Sequence, residues 1–439
     1  MDYKKPEKTL ELWKKAKKIL PGGSQLLSKR AEMFLPDQWP AYYTDAKGAE
    51  VTDLDGNTYL DMSYMGIGSC ILGYADEDVN NAVKDAVDRG SMTTLNCPEE
   101  VELAHVLLDL HPWAGMVRYA RTGGEALTVA IRIARAASGK EKVAFCGYHG
   151  WHDWYLASNL AENSNLDGHL LPGLEPKGVV RGLHESALPF EYNNIEQLEK
   201  ITQNNDVGVI VMEVVRHNEP EDNFLQKVRE IADRIGAILV FDEVTSGFRK
   251  CIGGIHKIYN VNPDIAVFAK GISNGFPMAA IIGKENLKDA SQSSFISSTY
   301  WTERIGPVAA LATIKKMQEN NVPEHLEKMG KHIWEGWENL ADKHGITITV
   351  QGPPELVVFS FNYDNAQEIR TLFTQEMLKR GILASSAVYV SFAHKEEHVK
   401  KYLETVDEVF KIIKKAIETN TVLDLLDGPV AHTGFKRLT

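Results

Sequence analysis

Three short apolar runs in the middle of the chain each end in charge. Val207-Gly-Val-Ile-Val-Met leads to Glu213, Gly236-Ala-Ile-Leu-Val-Phe241 leads to Asp242 and Glu243, and Pro263-Asp-Ile-Ala-Val-Phe-Ala leads to Lys270. Runs of this length, rich in β-branched and aromatic residues, read as buried strands of a parallel sheet. Helical patterns alternate with them. Glu99–Leu110, Glu125–Ala137 and Phe224–Arg234 read as helices, while Met116–Tyr119 and Val143–Cys146 read as further strands. The alternation is that of a doubly wound α/β fold.

In open α/β sheets ligands sit outside the carboxyl ends of the strands, so Asp242 and Lys270 are expected to face one site. A solvated cation is not expected at the end of an apolar strand. An amine that can form a Schiff base, beside a carboxylate that can keep a pyridine nitrogen protonated, is what pyridoxal 5'-phosphate requires of a protein.

The 439 residues suggest two or three domains at ~150 residues each. The net charge of -12 disfavours nucleic acid and anionic membranes as partners, and no apolar stretch approaches the ~18 residues of a membrane span. Cys70, Cys97, Cys146 and Cys251 show no CxxC spacing, which fits a reducing cytoplasm. Seven lysines fall in the first eighteen residues. Acidic residues interrupt them, and Leu12, Trp13, Ala16, Ile19 and Leu20 form a stripe ended by Pro21-Gly22-Gly23, so the segment reads as an amphipathic arm helix rather than a targeting signal.

The pattern divides the chain into an arm and part of a small domain over 1–62, a large domain over 63–310, and a C-terminal α+β portion over 311–439. A hairpin is expected around Asp55-Gly56-Asn57. The last portion has helical runs at 307–318, 323–343, 366–380 and 395–419, with strands at Ile346–Val350 and Leu356–Phe361. The Gly- and Pro-rich stretch from about 160 to 185 reads as a functional loop.

Two segments add chemistry at the strand ends. Arg121-Thr-Gly-Gly-Glu-Ala126 joins a strand to a helix and offers free N–H groups to a phosphate, without the GxGxxG or GxxxxGK[ST] of nucleotide binders. Gly147-Tyr-His-Gly-Trp-His152 gathers aromatic and imidazole groups. Tyr148 can stack on a planar cofactor, and no HExxH or third ligand makes His149 and His152 a metal site.

Tyr148-His-Gly, Phe241-Asp-Glu-Val-Thr-Ser-Gly-Phe-Arg249 and Ala269-Lys270-Gly-Ile-Ser-Asn-Gly-Phe-Pro277 together resemble, in order and separation, the signatures of class III pyridoxal phosphate-dependent aminotransferases. The glutamate-1-semialdehyde aminomutase-like branch is the nearest in pattern. The resemblance runs from Pro21-Gly-Gly through Val390-Ser-Phe-Ala-His394. It implies fold type I, with a mostly parallel seven-stranded sheet in the large domain, a smaller α+β domain, and a cytoplasmic homodimer with shared active sites.

Carried over by position, it makes Lys270 the Schiff-base and proton-transfer lysine, Asp242 the partner of the pyridine nitrogen and Tyr148 the stacking ring. Gly123 and Gly124 hold the phosphate, and His149, Glu213 and Thr245 line the cofactor. Gly124 departs from the family, which has a hydroxyl residue there, so one phosphate hydrogen bond comes from elsewhere. A threonine of the second subunit adds another, and either Thr299 or Thr302 fits that part.

The resemblance implies a small-molecule amino donor and a keto or aldehyde acceptor. The alternatives are glutamate-1-semialdehyde 2,1-aminomutase and a pyridoxal phosphate-binding regulatory or structural protein without turnover, against which the joint retention of Lys270 and Asp242 argues. Two departures favour transfer over the mutase reaction. Ser28-Lys29-Arg30-Ala31 stands where the mutase has Val-Arg-Ala-Phe, and Ser386-Ala-Val-Tyr-Val-Ser391 is shortened and lacks the mutase glutamate. Arg216, beside His217 and just past Glu213, is a candidate grip on an anionic substrate group, and Trp39 a candidate pocket wall.

Overall fold

The computed structural model describes residues 5–160, 177–215 and 218–433. They fold as two compact units, one from residues 5–76 with 324–433 and the other from residues 77–323.

In the first unit, helix α1 (Glu7–Ile19) buries Thr9, Leu10, Trp13 and Ala16. Trp13 and Ala16 of the expected stripe face inward, and Leu12 and Ile19 do not. Leu12 is 39% and Ile19 79% exposed, because Trp13 sets the inward face and donates its indole N–H to Glu32 (3.0 Å). The Asp55 carboxylate accepts the backbone N–H groups of Lys8 and Thr9, which caps the helix from the expected hairpin. That hairpin pairs β1 (Tyr43–Lys47), β2 (Glu50–Asp53) and β3 (Thr58–Met62), and Ile382–Ala384 adds a parallel strand along β3. Three strands, Ile348–Gln351, Leu356–Phe361 and Ala387–Tyr389, form a second antiparallel sheet. Its core is aromatic: Phe359 meets Trp337 and Phe373 edge-on, with ring centroids 4.7 and 5.4 Å away.

The second unit opens with α2 (Glu77–Asp88) and α3 (Glu99–Leu110) and is organised by a seven-stranded sheet. Its strands are β4 (Met116–Ala120), β5 (Lys142–Cys146), β6 (Ala187–Pro189), β7 (Val207–Glu213), β8 (Ile238–Asp242), β9 (Ile265–Phe268) and β10 (Ala279–Gly283), in spatial order β4-β10-β9-β8-β7-β5-β6. All neighbours are parallel except β10, which runs antiparallel to β4 and β9.

Alternation within each strand sends side chains to two cores. Val143, Phe145, Val209, Val211, Val240, Ile265 and Val267 pack with α4 (Gly123–Ser138) on one face; Ala144, Cys146, Ile210, Met212, Leu239 and Phe241 pack with helix Phe224–Ile235 on the other. Both faces are covered, which is why these strands read as unbroken apolar runs. No helix among the described residues is long and apolar enough to cross a membrane.

Candidate active site

Because β5, β7, β8 and β9 run parallel, their last residues share one edge of the sheet. Register pairs Cys146 with Met212, Glu213 with Asp242, and Asp242 with Val267. Past the end of β9 the backbone leaves the strand sharply. Ala269 is extended, and Lys270 takes φ +50°, a left-handed conformation that costs a residue with a Cβ roughly 1 kcal/mol or more. The turn aims the amine across to the neighbouring strand, where Lys270 Nζ donates to Thr245 Oγ1 at 2.8 Å. Lys270 is half-buried, whereas Thr245 is only 5% exposed.

Asp242 is buried, and its environment is specific. Its Oδ1 accepts the Val244 N–H (3.0 Å), and its Oδ2 lies 2.7 Å from His149 Nδ1. The other ring nitrogen, Nε2, is 3.0 Å from the Cys146 carbonyl. A carbonyl only accepts, so Nε2 carries a proton, and the proton between Nδ1 and Oδ2 is shared by an imidazole and a carboxylate. Burial pushes the Asp242 carboxyl above its ordinary range, and Glu213 adds to the rise; the hydrogen bond and charge of His149 and the Val244 N–H oppose it. His149 thus acts on Asp242 from across 93 positions of sequence.

Gly147 is required where β5 ends. Its φ is +107°, and a Cβ there would lie 2.7 Å from Glu213 Oε2. With no side chain in the way, Tyr148 donates its backbone N–H to that oxygen at 3.1 Å. The Tyr148 ring stands edge-on to buried Tyr155, with centroids 5.8 Å apart. Opposite, α4 starts at Gly123, two residues before its expected start, because Thr122 and Glu125 form a capping box: Thr122 Oγ1 accepts the Glu125 N–H and Glu125 Oε2 accepts the Thr122 N–H. Gly123 and Gly124 are its first two residues, whose N–H groups have no carbonyl one turn behind them.

Under this edge lies a buried network with no local signature in the sequence. Glu243 accepts from Ile255 N, His256 N, His256 Nδ1 and Ser246 Oγ, at 2.8 to 3.0 Å. His256 Nε2 receives the indole N–H of Trp113 (3.1 Å), so its proton is on Nδ1 and the ring is neutral. These donors hold the carboxyl of Glu243 below its ordinary range despite complete burial. The network ties residues 243–256 to α3's end and holds the Thr245 loop, where Arg249 Nε donates to Thr245 O (2.7 Å). The Asp-Glu pair hints at such a role, but the network closes only through Trp113, 143 residues from His256.

Thr299 and Thr302 begin and end one 3-10 turn and are both exposed, with Thr302 Oγ1 donating to Thr299 O (3.0 Å). Trp39 lies in the first unit's core, 7% exposed and stacked on Phe34 at 4.3 Å. Arg216, His217 and residues 161–176 of the expected loop lie outside the described residues.

Residues 35–417 match the family described as Aminotransferase class-III. The chain is 29% identical over 425 residues to 3-aminobutyryl-CoA aminotransferase of Cloacimonas acidaminovorans (strain Evry), covering 93% of this chain and 98% of that protein. It is 31% identical over 432 residues to glutamate-1-semialdehyde 2,1-aminomutase of Ignicoccus hospitalis, covering 93% and 100%. The fold superposes on the FumI protein of Sphingopyxis sp. MTA144 with a TM-score of 0.85 at 22% identity, over 94% of this chain and 98% of that one.

Proposed function

Since the chain belongs to the class-III aminotransferase family, we propose that it moves an amino group from a small-molecule donor to a separate keto or aldehyde acceptor, with Lys270, Asp242 and Tyr148 as its catalytic residues. The cofactor is pyridoxal 5'-phosphate. When bound, it supplies a carbonyl that captures amines and a protonated ring that withdraws electrons from the adjacent carbon.

The residues present fit this group. Asp242 is a buried carboxyl raised by burial and bonded to His149, and a protonated ring nitrogen would add positive charge beside it. The N–H groups at the start of α4 suit a phosphate, and Gly123 must stay small, since a Cβ would lie 2.9 Å from Val244 Cγ1.

The observation that carries the reading is the Lys270 amine held by Thr245 Oγ1 at the end of β9, one strand from the Asp242–His149 pair. Asp242 would hold the protonated ring nitrogen, and the His149 Nδ1 bond to Oδ2 favours the charged carboxylate. Tyr148 would cover the ring face, while Glu213 fixes the Tyr148 backbone. Lys270 Nζ is the amine that would hold the cofactor carbonyl and, when free, would move a proton to and from the substrate carbon. Thr245 Oγ1 holds the free amine at 2.8 Å and would orient it for that transfer.

Transfer rather than internal exchange is supported by Ser28-Lys29-Arg30-Ala31 and by the shortened Ser386–Ser391 segment, both of which differ from the mutase pattern. In this reading the enzyme is a cytoplasmic homodimer whose Thr299 or Thr302 crosses to the phosphate of the second copy. Exposure of both threonines and of the nearby apolar side chains Phe295 (88%) and Tyr300 (70%) supports it.

The test is to incubate the holoenzyme with glutamate and a panel of keto acids, aldehydes and keto sugars, and to identify both products by mass spectrometry. Paired products are expected, and borohydride reduction is expected to fix the cofactor on Lys270. Conversion of glutamate-1-semialdehyde to 5-aminolevulinate without any transfer would overturn the reading.

A further inference from the structure

The two glycines that open α4 are there for different reasons. Gly123 is imposed by Val244, as the 2.9 Å approach shows. Gly124 is not. Its backbone is not left-handed, and the nearest atoms to a Cβ there would be His152 Cε1 at 3.6 Å and Nδ1 at 3.7 Å, ordinary contact distances. Neither space nor conformation excludes a hydroxyl side chain, so its absence alters the chemistry of the helix start.

What covers Gly124 is the edge of the His152 imidazole. His152 Nδ1 lies 2.8 Å from the Gly124 carbonyl oxygen and 2.6 Å from Thr128 Oγ1. That hydroxyl receives the indole N–H of Trp154 (3.1 Å) and donates to the same carbonyl (3.0 Å). The carbonyl can only accept, so Nδ1 bears a proton. A neutral ring so fixed has a bare Nε2, and an imidazolium has a second donor there. Two acids are close in sequence: Glu125 accepts the N–H groups of Arg121 and Thr122, and Asp153 is exposed.

We propose that His152, as an imidazolium, is a positioning residue for the cofactor: its Nδ1–H stays on Gly124 O, and its Nε2–H binds the phosphate in place of the hydroxyl missing at position 124. A dianionic phosphate favours the protonated ring, and a charge-assisted hydrogen bond is stronger than the neutral one it replaces. The inference rests on the reading that the phosphate sits at the start of α4.

The test titrates the full-length apoenzyme with pyridoxal phosphate and, separately, with pyridoxal. His152→Ala is expected to weaken pyridoxal phosphate binding by roughly tenfold to a hundredfold and to leave pyridoxal binding unchanged. Gly124→Ser in that background is expected to recover most of the loss, which also shows that the variant folds. Nitrogen-15 shifts of the ring in the wild-type holoenzyme are expected to report both nitrogens protonated.

Unchanged pyridoxal phosphate affinity in His152→Ala would overturn the proposal, and so would equal weakening of both ligands, the mark of a packing role. A wild-type protein that bound pyridoxal as tightly as pyridoxal phosphate would instead remove the phosphate from α4, and the underlying reading of the helix start with it.

Discussion

Lowering the pH from 7 to 5 is expected to destabilise each unit through one buried histidine. His111 lies in the second unit. Its Nδ1–H donates to Leu107 O (2.8 Å) and its Nε2 accepts the Gly254 N–H (3.0 Å). His394, in the first unit, has the opposite tautomer: Nε2–H donates to Asp61 O (2.8 Å) and Nδ1 accepts the Ser391 N–H (3.1 Å). Each ring has one donor and one acceptor already satisfied, so a second proton would face an N–H. Both side chains are fully buried, and burial lowers both from the ordinary 6.5 to about 4.

As the pH falls below about 6.5 the unfolded chain takes up these protons before the folded one does, so the stability present above that value is lost towards pH 4. A displacement of about 2.5 pH units is worth about 3.4 kcal/mol per histidine when complete. At pH 5 the loss is about 2 kcal/mol for each and about 4 kcal/mol for both. Urea unfolding and hydrogen exchange at the two pH values measure it. His111→Gln with His394→Gln is expected to be less stable than wild type at pH 7 and to lose about 4 kcal/mol less on going to pH 5. Each single variant is expected to alter the exchange of its own unit. Parallel pH curves for the wild type and the double variant would refute the assignment of neutral, locked rings.

Thr245→Val keeps the shape and removes the acceptor of the Lys270 amine, so turnover is expected to fall about tenfold or more with an unchanged melting temperature; single-turnover kinetics separate this from a loss of substrate binding. Gly123→Ala drives a Cβ to 2.9 Å from the stiff Val244 side chain, whereas Gly124→Ala meets nothing closer than 3.6 Å. The first is expected to lose about 1–3 kcal/mol by calorimetry and the second to melt like wild type, with Val244→Ala restoring the first.

The strands were legible because both faces of the sheet are covered. With apolar side chains on each side, β7, β8 and β9 stand out as runs whose carboxyl ends fall within a residue of those read from sequence. Short-range chemistry was less legible where two signals overlap. Ile346 and Thr347 have strand propensity, yet Ile346 donates its N–H to Ala341 O behind left-handed Gly345 and closes the preceding helix, so the strand begins at Ile348. Thr122 and Glu125 carried a capping-box spacing that marks the true start of α4. The arm is the amphipathic helix its pattern predicts, with Trp13 and Ala16 inward, but Leu12 and Ile19 fall off that face, which tertiary packing and the Trp13–Glu32 bond fix.

The same distinction applies to the site. Lys270 and Asp242 are visible because each breaks a local rule, a charge at the end of an apolar run. What makes them usable does not break any. His149 reaches Asp242 across 93 residues and Trp113 reaches His256 across 143, and nothing about an isolated histidine or tryptophan in the sequence announces such a partner. These partners also account for how the edge tolerates its strain. Lys270 pays for its left-handed backbone only if the amine meets something fixed, and Thr245 is fixed because its loop is held by the Glu243 carboxylate with four donors upon it. A loop free to relax would let the Thr245 hydroxyl drift from Nζ, leaving the conformational cost without its return. The buried Glu243–His256–Trp113 chain is therefore part of what keeps the Lys270 amine aimed, though it touches no reacting atom.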